Sequence, residues 1–263
     1  MSRSHDDDWP PRGLDLTKAS SARVYDYLLG GKDNFAIDRE AGERIKARMP
    51  GAHLGVQAQR AVLGRVVRFL VREVGLRQLV DIGTGLPTAD NVHQVARSVA
   101  QGVRVAYVDN DPIVLSHARA LLATDDDTLV VEGDLNEPAA LLTSLDGHID
   151  LSEPVGLILC GILHHIQDDP WSPTAKLVSA LAPGSYVFVH HLFDRGDEQS
   201  AALQALERSR YRTYEEISRF FTGLDLVEPG LVPVPEWRPD PELAVLDDHP
   251  VLQLALAGVA RKP

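Results

Sequence analysis

The segment Gln78-Leu79-Val80-Asp81-Ile82-Gly83-Thr84-Gly85 runs an apolar stretch into Asp-x-Gly-x-Gly, and a second apolar stretch, Val105 to Val108, ends in Asp109. Glycines in the turn after a strand let backbone approach a ligand closely, because no Cβ intervenes. A carboxylate at the tip of the next strand can accept hydrogen bonds from both hydroxyls of a ribose. The pairing describes an adenosine-bearing ligand laid across the carboxyl ends of a parallel sheet.

Charge narrows the choice of ligand. A dinucleotide-binding turn uses Gly-x-Gly-x-x-Gly, whose third glycine lets helix and strand pack around a pyrophosphate. Here Gly83 and Gly85 are followed by Pro87 and Thr88, so that glycine is missing. Asp81, just ahead of Gly83, would repel a pyrophosphate and attract an ammonium group. S-adenosylmethionine (SAM) carries an ammonium and a sulfonium, which favours SAM over NAD. Asn110 is expected along the adenine face, and Asp134, in Gly133-Asp134-Leu135, is suited to accept from the exocyclic amine of adenine. The plain alternatives are that Asp109 or Asp111 caps the following helix and that Asp134 is a turn residue.

Transfer of a methyl group from a sulfonium is an in-line displacement, so the protein mainly aligns the reactants and excludes water. A general base matters only when the nucleophile arrives protonated. His164 and His165, after the fourth strand, and His190 and His191, at the end of the fifth, are the candidates. Strand alternation would put one member of each pair on either face. His164 and His191 are taken as the catalytic pair, with plain cleft lining as the alternative. Asp168 either orients an imidazole or begins the next helix. No metal is expected, because adjacent histidines lack zinc-ligand spacing. Cys160 lacks the preceding proline of enzymes that methylate pyrimidine carbons, and it reads as a small buried residue.

These groups need a scaffold that brings strand tips together. Strands are expected at Gln78–Ile82, Arg104–Asp109, Thr128–Glu132, Val155–Gly161 and Ser185–His190, alternating with helices, the pattern of a parallel sheet covered on both faces. Asp111-Pro112 and Ser172-Pro173 read as helix starts, and Thr213 to Glu216 as a capping box. Leu224 to Val234 and Leu252 to Ala260 read as an antiparallel pair at one edge. The fold class is α/β, a Rossmann-like class I methyltransferase fold with a seven-stranded, mostly parallel sheet closed by an antiparallel C-terminal hairpin.

Residues 1–17 are expected to be disordered, 18–75 to form an N-terminal helical lid or cap, and 76–263 the SAM-binding domain. Helices are read over Ala22 to Leu29, after Asp38, and from Leu54 to Val74. Tyr25, Tyr27 and Phe35 flank Gly30-Gly31, either as a hinged lid whose Tyr25 or Asn34 touches the ligand, or as the core of a small helical unit. Arg65, Arg68 and Arg72 read as the solvated face of the long helix.

Arg23 to Phe35, Asp81 to Thr88, Tyr107 to Pro112 and the closing Gly258 to Pro263 resemble an actinomycete SAM-dependent methyltransferase family formerly catalogued as a domain of unknown function. The resemblance runs from about residue 20 to the end. It implies a class I methyltransferase that binds SAM, and it names no acceptor. Asp81, Gly83, Gly85, Asp109, Asn110, Asp134 and Leu135 match positions that line the SAM pocket in such enzymes. Arg23 to Phe35 is similar to the family lid. His165 and His190 depart from the family pattern, both on the acceptor side.

A net charge of −12, from 38 acidic and 26 basic side chains, argues against nucleic acid as a partner. The longest apolar run, Val155 to Leu163, is too short to span a bilayer. One cysteine and no visible secretory signal fit a cytoplasmic location. The leading expectation is a SAM-dependent methyltransferase acting on a small molecule. A non-catalytic SAM-binding sensor or accessory protein is the alternative, and a nucleotide-sugar or NAD-dependent enzyme the third reading.

Overall fold

A computed structural model describes residues 17–198, 200–201, 204, 209–239 and 249–263 of the 263-residue chain. Five strands run parallel: β1 (Gln78–Ile82), β2 (Arg104–Asp109), β3 (Thr128–Glu132), β4 (Gly156–Cys160) and β5 (Tyr186–Leu192). Their order across the sheet is β3-β2-β1-β4-β5. The chain steps outward from β1 to β3 and then returns to β4 on the other side of β1. That reversal opens a crevice at the carboxyl ends of β1 and β4, where ligands of open α/β sheets bind.

β8 (Ala255–Arg261) pairs antiparallel with β5, and both β6 (Asp225–Leu226) and β7 (Val232–Pro233) pair antiparallel with β8. The sheet is therefore eight-stranded rather than seven-stranded, because the expected edge strand is broken in two. Pro229 brings no N–H to a ladder, and Gly230 takes φ +93°, so the chain turns out between the two pieces and rejoins β8 further along.

Residues of β1 and β4 are buried almost throughout, as expected for strands covered on both faces. Alternation sorts their side chains into two cores. Leu79, Tyr107, Ile158 and Phe188 pack with Val62, Val66, Leu70 and Trp237 on one face. Val80, Val108, Leu157 and Val187 pack with Leu141, Leu177 and Phe221 on the other.

Helices with described bounds are α1 (Ser21–Leu28), α2 (Ala36–Arg48), α3 (Ala52–Arg68), α4 (Val92–Val99), α5 (Pro112–Leu121), α6 (Pro138–Ser144), α7 (Trp171–Ala180) and α8 (Tyr214–Ser218). Asp111 caps α5 through Ile113 N–H at 2.8 Å, with Pro112 in the first position. Thr213 and Glu216 exchange the two hydrogen bonds of a capping box. The Ser172-Pro173 start is corrected. Asp169 supplies the cap, accepting from the backbone N–H of Trp171 and Ser172, so Ser172 already lies in the first turn. The long helix read to Val74 stops as an α-helix at Arg68 and widens into a π turn, Phe69–Glu73. β5 continues past His190 to Leu192, because β8 pairs with it as far as Ala255. Most of the segment expected to be disordered, and residues 240–248 between the two expected edge segments, lie outside the described residues. Among the described residues no helix is long and apolar enough to cross a membrane.

The first two helices are joined by buried charge. Arg23 Nε donates to Asp38 at 2.7 Å, with side chains 4% and 0% exposed. Asp38, in the first turn of α2, also accepts from the backbone N–H of Ser20 and Phe35. Asp26 closes the intervening loop, accepting from Asp33 N–H and Asn34 Nδ2. A Cβ on Gly31 would overlap the Asp26 carboxylate, so glycine is required there. Removing one partner of a buried ion pair strands the other, at a cost of about 3–5 kcal/mol. Asp38→Ala is expected to lower the urea midpoint accordingly, whereas Lys46→Gln, in the exposed pair with Glu43, leaves it unchanged.

Candidate active site

Asp81, at the tip of β1, is only 5% exposed. Its carboxylate accepts one hydrogen bond from a described residue, the Thr84 hydroxyl at 3.0 Å. Burial pushes its pKa up to about 6, against the pull of Thr84 and of the Arg60 guanidinium. The chain then turns through Gly83 (φ +73°) and Gly85 (φ +67°). A Cβ on Gly83 would strike the Ile162 side chain at 2.7 Å, whereas one on Gly85 would meet nothing within 4 Å. The turn thus packs on the β4 loop through Gly83 and faces open space at Gly85.

Asp109, at the tip of β2, holds that turn in place. It accepts from Gly85 N–H and from Asp111 N–H, both at 2.9 Å. Capping of α5 falls to Asp111, so Asp109 is not the helix cap, and each of its oxygens keeps lone-pair capacity beyond the one backbone N–H it accepts. Burial raises the Asp109 pKa above the usual carboxylate range. At the tip of β3, Asp134 accepts from Asn136 N–H and Nδ2, as a turn residue does, and its second oxygen faces Asn110 Nδ2 at 3.5 Å. Leu135 is buried in the core beneath Asp134.

The N-terminal helices cross these tips. Tyr25 donates to Val56 O at 3.2 Å, and Gln59 Nε2 reaches Cys160 O at 3.4 Å. Ser20 Oγ donates to Asp111 at 3.0 Å. Asn34 is committed to Asp26 and Gly31 within its own loop, and the structure gives it no hydrogen bond to the strand tips. Its neighbour Asp33 comes within 4.0 Å of His117 on α5.

The four histidines separate. His190 and His191 sit in β5 on opposite faces, as alternation requires. His164 and His165 do not, because Gly161 (φ +81°) ends β4 and residues 163–165 form a 3-10 turn that leaves the two rings 4.3 Å apart. His191 is fully occupied. Its Nδ1 lies 2.7 Å from Leu192 O, a carbonyl that can only accept, so Nδ1 carries the proton. Its Nε2 therefore accepts from Arg212 Nη1 at 2.9 Å. Burial, with Arg212 alongside, pushes His191 down to about 3. His164 keeps a buried Nδ1 with no partner, and burial holds its pKa well below the usual histidine value. His190 Nδ1 is likewise unpartnered, and burial lowers that ring to about 4. Asp168 is exposed, and Asp169 rather than Asp168 begins α7. Burial pushes the Cys160 thiol up to about 12, which suits a packed side chain and not a nucleophile. Among the described residues no His, Cys, Asp or Glu cluster is placed to hold a metal. Two open depressions of about 560 and 490 Å³ lie at the opposite end of the sheet around Arg104 and carry none of these residues.

A profile of the S-adenosyl methyltransferase family matches residues 7–263. The chain belongs to that family. A putative methyltransferase from Thermobifida fusca YX is 43% identical and superposes with a TM-score of 0.88, covering 97% of this chain and 98% of that one. A DUF574 family protein from Streptomyces avermitilis MA-4680 is 39% identical, with a TM-score of 0.89 over 95% and 99%. The N-methyltransferase NodS from Bradyrhizobium japonicum WM9, solved with S-adenosylhomocysteine, is 13% identical with a TM-score of 0.51 over 92% and 99%, and shares the fold alone. No protein of curated function matches. The protein is a SAM-dependent methyltransferase, and the NAD and nucleotide-sugar reading is set aside.

Two arginines that brace the loops of this methyltransferase at the strand tips are not evident in its sequence motifs. Arg212, 1% exposed, donates to Leu163 O at 3.1 Å and Ile166 O at 2.7 Å, stacks on Trp171, and fixes the β4 loop. Arg60 donates to Ala89 O and Asp90 O in the loop that precedes α4. Arg65 also departs from the solvated-face reading, since it donates to Val234 O and Trp237 O. The available signal for Arg60 was its spacing, with Val56, Gln59 and Arg60 forming one helical edge.

His190 and His191 are neutral when folded and charge near pH 6.5 when unfolded. The unfolded chain therefore binds more protons below that pH, and stability falls as pH drops from about 6.5 toward about 4. The slope is about 1.4 kcal/mol per pH unit for each histidine. Urea unfolding at stepped pH is expected to show this loss, and His190→Leu is expected to reduce its slope.

Proposed function

We propose that this methyltransferase acts on a small-molecule acceptor held at the tips of β4 and β5, beneath the N-terminal helices. The observation that carries the reading is Asp81: a buried carboxylate, nearly without partners, beside a glycine turn open at Gly85. Leaving a charge so desolvated is unfavourable unless a cation joins it, and the ammonium group of SAM is such a cation.

In this reading Asp81 takes the ammonium and the Gly83–Gly85 backbone borders the methionyl chain. Asp109 accepts the ribose hydroxyls. Asn110 and Asp134 take the adenine edge, with Leu135 supporting the turn from below. Tyr25 covers the crevice as part of an N-terminal cap spanning residues 18–75, and Asn34 shapes its loop. When bound, SAM supplies an electrophilic methyl carbon. The chain's own part is to orient the acceptor and exclude water from that carbon. Of the two expected catalytic histidines we give the proton-accepting role to His164, whose Nδ1 is free, and withdraw it from His191, whose nitrogens are both engaged. A low histidine pKa keeps His164 in the neutral form that a base requires. The acidic net charge and the single cysteine support a small-molecule acceptor and a cytoplasmic setting.

Calorimetry tests the site. Asp81→Ala and Asp109→Ala are each expected to weaken binding of SAM and S-adenosylhomocysteine about tenfold or more, the scale of a charged hydrogen bond. Wild-type affinity in both variants would remove the site. Because the ammonium binds the ionised carboxylate, affinity is expected to rise as pH passes upward through about 6 and to level off above it. Asp81→Asn should flatten that rise. A metabolite extract screened with methyl-labelled SAM would identify the acceptor. His164→Ala is expected to abolish labelled product without loss of SAM affinity.

A further inference from the structure

The amino-acid end of SAM carries a carboxylate as well as an ammonium, and the strand tips offer that carboxylate only repulsion from Asp81, Asp109 and Asp134. A cation is needed at the same place. Arg60 is one helical turn along α3 from Val56, which receives Tyr25, and next to Gln59, which reaches the tip of β4. Its side chain crosses to the loop after β1, where Nη2 donates to Ala89 O at 3.1 Å and Asp90 O at 3.0 Å.

That loop is itself braced. Thr88 N–H donates to Asn91 Oδ1 and Asn91 Nδ2 returns to Thr88 O at 2.7 Å, while Asp90 holds φ +58°, a left-handed conformation that few side chains adopt. The guanidinium is thus anchored by one nitrogen, with the N–H groups of Nε and Nη1 left over. No described carboxylate forms an ion pair with it. The side chain is half-buried, and its charge acts on Asp81, Tyr25, Tyr107 and Cys160, at and around the tips of β1 and β4.

We propose that Arg60 binds the carboxylate of the SAM methionyl group, so that Arg60 and Asp81 together recognise its zwitterionic end. The assignment rests on the SAM site proposed above and adds the group that site lacks. A guanidinium with a free N–H edge suits a carboxylate better than an ammonium does, and prior anchoring reduces the ordering lost on binding.

The test compares SAM with decarboxylated SAM, which differs by the carboxylate alone, in calorimetric titrations of the full chain. Wild-type protein is expected to bind SAM about tenfold or more tightly than the decarboxylated compound. Arg60→Met is expected to erase that preference, weakening SAM binding while leaving decarboxylated SAM unchanged, and Arg60→Lys to restore part of it. Equal losses for both ligands in Arg60→Met would make Arg60 a brace for the loop and overturn the proposal, as would no loss for either. A wild-type preference below twofold would overturn it without recourse to any variant. Wild-type protein that binds neither ligand would instead sink the SAM site, and this assignment with it.

Discussion

A carboxylate buried at the switch point of a parallel sheet is the constraint around which the rest of this molecule is arranged. Asp81 is held by backbone that cannot move away from it, since β1 is hydrogen-bonded on both sides by β2 and β4. Desolvation raises its pKa, and only the Thr84 hydroxyl and the more distant Arg60 offset that. A well-packed interior would replace such a group with an apolar one. Its presence beside a glycine turn that opens at Gly85 is a local violation of folding preference, and it is the feature on which the proposed SAM site rests.

The surrounding elements stabilise that arrangement in layers. Asp109 ties the glycine turn to β2, and Ile162 of the β4 loop packs against Gly83. The β4 loop is in turn fastened by Arg212, a buried guanidinium whose partners are carbonyls and a neutral imidazole. Arg212 lacks an acidic neighbour at ion-pair distance among the described residues, and desolvation lowers its pKa to about 10. It remains charged at neutral pH, which is one reason His191 beside it stays neutral.

The parts of this structure that depend on local pattern were readable from the chain. Five strand positions, the Asp111-Pro112 cap, the Thr213 capping box and the acid at each strand tip follow from apolar runs and turn chemistry within a few residues. The family resemblance added SAM as the cofactor and an expected set of pocket residues. What stayed hidden depends on residues far apart in sequence. Arg65, read with Arg68 and Arg72 as a solvated helix face, looks like a surface residue until the loop opposite it is known, and the loop that Arg60 reaches lies far from it in sequence. The engagement of His191 needs Arg212, which belongs to another element, and periodicity reports nothing about that partner. The broken edge strand was read as continuous because its two halves share an apolar pattern, and only the pairing with β8 shows the interruption.

That interruption bears on how the molecule behaves in a crowded solution. A sheet that ends in a long, flat strand presents a row of free amides on which another chain can grow. Here the outermost rung on that side consists of two dipeptide pieces, one of them ending in Pro233, with a projecting turn between them. Few consecutive donors and acceptors are left in register for a foreign strand. The hairpin that completes the fold therefore leaves that border of the sheet with little unbroken backbone to extend.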